Sequence, residues 1–261
     1  MPEILPIRKI RAKQFDKEEL GGVNLPLRVL GEDEGSYVVK LIASERLSNE
    51  AFFRELAASR LATALGMKTP EPVEVDITPE FAELYLGKTF YQKLSNSIGS
   101  NFGTKVVQGT DVQVSLLPGL KHLRQNMEKV FGFDAIADNS DRNALKPNCI
   151  LKDDDFWVID HEITFAFVLL LFPPNPLNPI VDSLRQHIFY PCLEQQTANF
   201  DDICERAAGL PETFWDEVLE HTPTTWKTEE VVRQTDLIKN WFARIVASPQ
   251  TLSDHLKNSL L

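Results

Sequence analysis

The stretch SDRNALKPNCILKDDDFWVIDHE, residues 140–162, decides how this chain reads. Two short apolar runs, 149–151 and 156–160, flank the acidic turn KDDD, which is the pattern of a small hairpin. The loop ADNSDRN before it carries Asp141. Asn148 stands directly ahead of the first run, and Asp160 ends the second. A carboxylate in a loop between a helix and a strand is placed to take a proton from a hydroxyl. An Asn before a strand can offer its amide oxygen to a divalent cation, and a carboxylate at a strand end can do the same. Each of these residues alone also fits a turn or a cap. Their order and spacing carry the weight.

Working outward, Leu120–Asp138 places Leu120, Leu123, Met127, Val130 and Ala137 at helical spacing just upstream. Nearer the start, Leu27–Leu30 and Tyr37–Ile42 are apolar runs separated by the turn GEDEGS and read as strands. A helix follows, with Ser48 as N-cap, Phe52, Leu56, Leu61 and Leu65 near one face, and Gly66 as its stop. The segment MKTPEPVEVDI is extended. The run ITFAFVLLLF, 163–172, reads as a buried strand or helix and is too short to span a bilayer. Beyond Pro173 the spacing predicts helices over 181–195, 200–207, 211–220 and 228–258. The expected class is α+β in a bilobal arrangement: a sheet-rich lobe over 1–92, a connecting segment over 93–119, and a helical lobe over 120–261 that carries the hairpin.

Transfer of a phosphoryl group asks little covalent chemistry of a protein. It needs the phosphates held, their charge neutralised and the attacking hydroxyl oriented. Lys40 ends the run SYVVK, where an ammonium can reach phosphate oxygens as a point charge. The following helix offers Glu50 and Glu55 as partners for it, and Glu55 is preferred because it heads ELAASRLATALGMKTP. Gly21 and Gly22 precede the first apolar run, and their backbone amides can approach phosphates or simply make a turn. The chain contains no GxxxxGK[ST] loop and no complete GxGxxG.

Five stretches together carry a family resemblance. They are YVVKL, RELAASRLATALGMKTPEPVEV, FGT at 102–104, FDAIADNSDRNALKPNCILKDDDFWVIDHEITF, and HTPTTW with the helix after it. In this order the chain resembles the HipA-like kinase domains, a branch of the protein-kinase-like fold with affinities to phosphatidylinositol kinases. The resemblance implies ATP and Mg²⁺ as cofactors. Lys40 would contact ATP phosphates with Glu55 as its partner, Asp141 would be the base, and Asn148 and Asp160 would hold Mg²⁺. Arg142 resembles the Arg of an Asp-Arg-His loop and would orient the loop or a phosphate. Asp134 would tie its helix to the catalytic loop. Two departures stand out. The position five residues after the base is Lys146, with Asn148 two residues later, and Asp160 is followed by His161-Glu162 rather than Phe-Gly.

The composition excludes some classes. The chain has 261 residues and a formal net charge of -11, which argues against a nucleic-acid-binding face and an anionic membrane as substrate. Cys149, Cys192 and Cys204 are scattered, without metal or disulfide spacing, and fit the reducing cytoplasm. The expected function is an ATP-dependent kinase acting on Ser or Thr of a protein acceptor. The alternatives are a nucleotide-binding or inactive interaction module on a kinase fold, a lipid or small-molecule kinase, and a nucleotidyl transferase.

Overall fold

The computed structural model describes residues 4–18, 26–45, 47–171, 184–195 and 197–261. Gly21 and Gly22, and residues 181–183 of the expected helix 181–195, lie outside the described residues. Five strands close into a barrel: β1 (Arg8–Glu18), β2 (Leu27–Gly31), β3 (Ser36–Lys40), β4 (Pro72–Ile77) and β5 (Gly99–Lys105), in the spatial order β1-β2-β3-β5-β4. All pairings are antiparallel except β1 with β4. Period-two alternation sends Leu27 and Val29 of β2, and Tyr37 and Val39 of β3, into the barrel with Val73, Val75 and Ile77 of β4. Gly103 sits where β5 meets both neighbours. A Cβ there would come within 2.6 Å of Val75 Cγ2, so the FGT stretch needs a residue without a side chain.

The first helix, α1 (Asn49–Ala64), begins at Ser48, whose hydroxyl accepts from the Ala51 N–H at 3.2 Å. It ends at Gly66, which adopts φ +80. Its residues are buried on nearly all sides. Phe53, Ala57 and Leu61 join the large core of the helical half, while Phe52 and Leu56 pack with Phe102 of β5 and Trp226. Trp226, from the HTPTTW stretch, is wholly buried, its ring 5.3 Å from Phe52. Truncating such an aromatic costs about 3–5 kcal/mol. This cluster fastens α1 between the barrel and the helical half.

Short helices α2 (Pro79–Glu83) and α3 (Tyr91–Ser95) precede β5. A 3-10 segment, Val114–Leu123, leads into α4 (Arg124–Ile136). A three-stranded sheet brackets them, in the order β6 (Thr110–Asp111), β7 (Cys149–Lys152), β8 (Asp155–Val158). The chain then builds α5 (Tyr190–Leu193), α6 (Asp201–Ala208), α7 (Phe214–Glu220), α8 (Glu229–Ile245) and α9 (Pro249–Asn258).

One strand went unread in the sequence, and two expectations need correction. β1 carries inward Ile10 and Ala12 among charged residues, so its apolar signal is thin and it escaped the sequence reading. Residues 93–119 are more than a connection, because they contain β5, which pairs with both β3 and β4 and closes the barrel. The run ITFAFVLLLF is not buried throughout: Phe165, Phe167 and Val168 are, whereas Leu171 is 87% exposed. Its order is a 3-10 turn, Ala166–Leu169, after Phe165 in the left-handed region at φ 62. No helix among the described residues is long and apolar enough to cross a membrane.

Candidate active site

A cavity of about 1000 Å³ separates the outer face of the barrel from the β7–β8 hairpin and the loop before it. The alternation that turns Tyr37 and Val39 inward turns Val38 and Lys40 onto this cavity. At its floor the Lys40 ammonium donates to the carboxylates of Glu55 and Asp160, and to Glu162 Oε2 at 3.0 Å. The second oxygen of Glu55, Oε2, accepts the His161 N–H at 2.9 Å. Glu50 faces elsewhere, accepting from Thr228 Oγ1 at 2.7 Å. Arg54, beside Glu55 on α1, donates from Nε to the Glu162 carbonyl at 2.8 Å and from Nη1 to Gln234 Oε1 of the helix Glu229–Ile245 at 3.2 Å. The helix is therefore held in place from the segment after the hairpin and from α8.

The charge balance at the floor is uneven, with one ammonium facing three carboxylates. Burial opposes the charge on Lys40, but Asp160, Glu55 and Glu162 outweigh it and lift its pKa well above the ordinary value. Burial raises Glu55 to about 7 despite Lys40. Asp160, only partly buried, is held low by Lys40. Carboxylate oxygens of Glu55, Asp160 and Glu162 lie within 4.8 Å of one another. An anionic set of hard oxygen donors fits a divalent cation of the Mg²⁺ type. Asp160 and Asn148 both sit at positive φ, 61 and 46, a conformation costly for residues other than glycine that is often retained where function needs it. His161 between the two acids is fully buried, and burial drives its pKa down to about 3. Neither of its ring nitrogens has a hydrogen-bond partner among the described residues.

The loop after α4 is organised from beneath. Asp134, on the last turns of α4, receives Arg142 Nε at 2.6 Å, His187 Nε2 at 2.9 Å and Asn139 Nδ2 at 2.7 Å. The Arg142 guanidinium is completely buried and also donates to the Asn148 carbonyl. It does not line the cavity. Of the two roles open to Arg142 from the sequence, this geometry carries the orientation of the loop. Burial would raise Asp134, yet Arg142 and His187 outweigh it and hold the acid at about 2.

The unusual spacing from Asp141 to Asn148 has a local explanation. Asn143 and Lys146 exchange backbone hydrogen bonds, N–H to O at 3.0 and 3.2 Å, closing a turn. The extra residues leave as a bulge with Leu145 94% exposed. Asn148 then returns to Asp141, its Nδ2 3.4 Å from the Asp141 carbonyl. Lys146 Nζ stands 3.3 Å from both Asp141 carboxylate oxygens. The structure thus brings Lys40, Glu55 and Asp160 together on the cavity, and Asp141 together with Lys146 and Asn148, of which Lys146 and Asn148 line it. Sequence reasoning missed Glu162, His187 and the contact between Lys146 and Asp141. Glu162 had a signal, being a lone acid between His161 and an apolar run. His187 had none, because it meets Asp134 across 53 residues.

Comparison with known proteins is consistent with this arrangement. A sequence model of the family described as HipA-like kinase matches residues 15–250. No curated protein matches the chain by sequence. Among solved structures, a Helicobacter pylori proinflammatory kinase, CtkA, superposes with a TM-score of 0.56 at 13% identity, covering 96% of this chain and 99% of that one. A Golgi casein kinase solved with Mn and ADP gives a TM-score of 0.50 at 13% identity, covering 97% of this chain and 73% of that one. At such identities the likeness concerns the fold, a kinase-like mixture of sheet and helices.

Proposed function

Because the chain belongs to the HipA-like kinase family, we propose that it is an ATP- and Mg²⁺-dependent phosphotransferase that acts on a Ser or Thr hydroxyl of a protein, with the nucleotide bound between two lobes. The carrying observation is the ion cluster in which Lys40 of β3 meets Glu55 of α1 and Asp160 beyond β8 on the floor of one large cavity. Val38, Ile150 and Ile159 on the cavity wall suit a planar base. Lys40, fixed by Glu55, neutralises phosphate oxygens as a point charge. Asp160 and Asn148 would hold the metal, with Glu162 beside them. The bound ion would neutralise charge on the phosphates.

Asp141 accepts the proton of the acceptor hydroxyl as its oxygen bonds to the γ-phosphorus. The bond from that phosphorus to the bridging oxygen breaks and ADP leaves. Arg142 and Asp134 take no part in the bond changes and act on the loop. The Mn and ADP in the Golgi casein kinase structure support nucleotide and divalent-metal use on this fold. The three free cysteines support a reducing, cytoplasmic setting.

The test combines a thermal shift with MgATP and a measurement of autophosphorylation on the wild type, Asp141→Ala and Asp160→Ala. Stabilisation of the wild type by MgATP is expected, since a ligand that binds the native state raises its stability, with phosphate incorporation lost in both variants. Equal incorporation in all three proteins would refute the reading. The absence of any shift at millimolar MgATP would favour an interaction module instead.

A further inference from the structure

We infer that His187 is a positioning residue of the phosphoryl-transfer site, holding the 139–148 loop through Asp134 from a segment far along the chain. The inference rests on the kinase reading and extends it to a residue that touches neither the cavity nor the reacting atoms.

The tautomer of His187 follows from its partners. Nδ1 accepts the Phe189 N–H at 3.1 Å, so in the neutral ring the proton sits on Nε2 and is donated to Asp134 Oδ2 at 2.9 Å. The ring is 4% exposed, packed edge-on to Phe131 at 5.2 Å. Burial lowers its pKa and keeps it neutral. The next residue, Ile188, donates its N–H to the Arg142 carbonyl at 3.0 Å. Residues 187–189 thus grip both the acid beneath the loop and the loop itself.

Asp134 is the node through which this grip reaches the chemistry. Its Oδ1 accepts from Asn139 Nδ2 and Arg142 Nη2, and its Oδ2 from Arg142 Nε and His187 Nε2. One bond further on, Asn139 Oδ1 accepts the Asp141 N–H at 3.2 Å, and Arg142 donates to the Asn148 carbonyl. The backbone of Asp141 and the backbone of Asn148 are each three hydrogen bonds from His187, the first of them to Asp134. Arg142 supplies the neutralising charge. His187 contributes direction, because its ring is clamped by Phe189 and Phe131 and fixes which way Oδ2 points. Without that donor the carboxylate keeps its ion pair but can rotate, and Asn139 and Arg142 rotate with it.

The test uses three substitutions that separate the donor from the packing. In His187→Gln the amide nitrogen reaches the position of Nε2. In His187→Asn it stops near that of Nδ1. In His187→Phe the aromatic packing stays and the donor is lost. A loop misplaced by a fraction of an ångström to 1 Å loses up to about 100-fold in rate, so kcat is expected to fall about 10- to 100-fold in the Asn and Phe variants, to stay within about threefold in the Gln variant, and KM for ATP to hold within about twofold throughout. A purely structural role would make kcat follow the thermal midpoint in all three. Equal kcat for the Gln and Asn variants, or wild-type kcat for the Phe variant, would overturn the inference, and the Gln–Asn contrast decides it should the Phe variant fail to fold. If the wild type transfers no phosphoryl group, the kinase reading fails separately. Amide exchange over 139–149 then decides: faster exchange in the Asn variant than in the Gln variant upholds the role of His187, and equal exchange overturns it.

Discussion

Lys146 Nζ lies 3.3 Å from each carboxylate oxygen of Asp141, closing the cavity side of the loop with an ammonium that is 39% exposed. Such a half-open ion pair contributes only about 0–1 kcal/mol to stability. It stands between Asp141 and the cavity, and under the proposed reaction its charge would be available to the transferred phosphoryl group. Lys146→Met is expected to keep its thermal midpoint close to wild type and to lose about 10- to 100-fold in kcat, as expected for removal of a charge that stabilises the transition state. Steady-state kinetics beside a melting curve check this, and a drop in melting temperature that accounts for the lost activity would count against it.

The anionic floor of the cavity ties ligand binding to Asp160. Lys40 holds the Asp160 carboxylate low in the folded chain, so its charge adds to stability at neutral pH. Asp160→Asn is expected to melt modestly below the wild type without ligand and to lose the rise expected from MgATP. The paired melting curves, with and without MgATP, report both halves. A variant that melts lower yet keeps the full rise would mean that the carboxylate is there for structure.

Glu55 gives a pH dependence whose sign can be worked out. Its ordinary value is 4.5, and burial raises it to about 7 in the folded chain. Between these values the folded state binds more protons than the unfolded one, so stability falls as pH rises. The contribution is complete below 4.5 and is lost as pH passes through 7. Urea midpoints of the ligand-free protein at pH 5.5 and pH 7.5 are expected to show the higher stability at pH 5.5, with a smaller difference in Glu55→Gln. An identical difference in the variant would locate the effect elsewhere.

How far the sequence carried can be judged from particular residues. Lys40 was legible because a five-residue strand with alternating burial leaves little choice of face. Ser48 and Gly66 marked the ends of α1 because capping is local chemistry. Asp141, Asn148 and Asp160 were legible as a group because they fall within one short stretch. What stayed hidden depends on contacts between distant segments. Glu162 reaches Lys40 across 122 residues, Arg54 reaches Gln234 across 180, and β5 is an inner strand only by virtue of partners on both sides. Glycine and acid patterns could not reveal that the spacing from Asp141 to Asn148 closes through a turn. That turn depends on Asn143 and Lys146 exchanging backbone bonds.

The buried pair of Asp134 and Arg142 separates stability from positioning most sharply. Both side chains are fully buried, with Arg142 Nε 2.6 Å from Asp134 Oδ2. Removing one partner strands the other charge, so Asp134→Asn is expected to cost about 3–5 kcal/mol. The acid limb should change as well. Asp134 is held at about 2 against an ordinary 3.8, so its contribution is present above 3.8 and is lost as pH falls through 2. The variant should unfold with a flatter dependence on pH across that window. A double variant, Asp134→Leu with Arg142→Met, removes both charges together and is expected to recover much of the lost stability, because a buried ion pair is often replaced by apolar residues at little net cost. It should not recover catalysis, since the side-chain bonds to the Asn148 carbonyl and to the Asn139 amide would be gone. Chemical denaturation and kcat measured on the same three proteins make the comparison. A double variant that regains both stability and activity would show that the pair serves the fold alone.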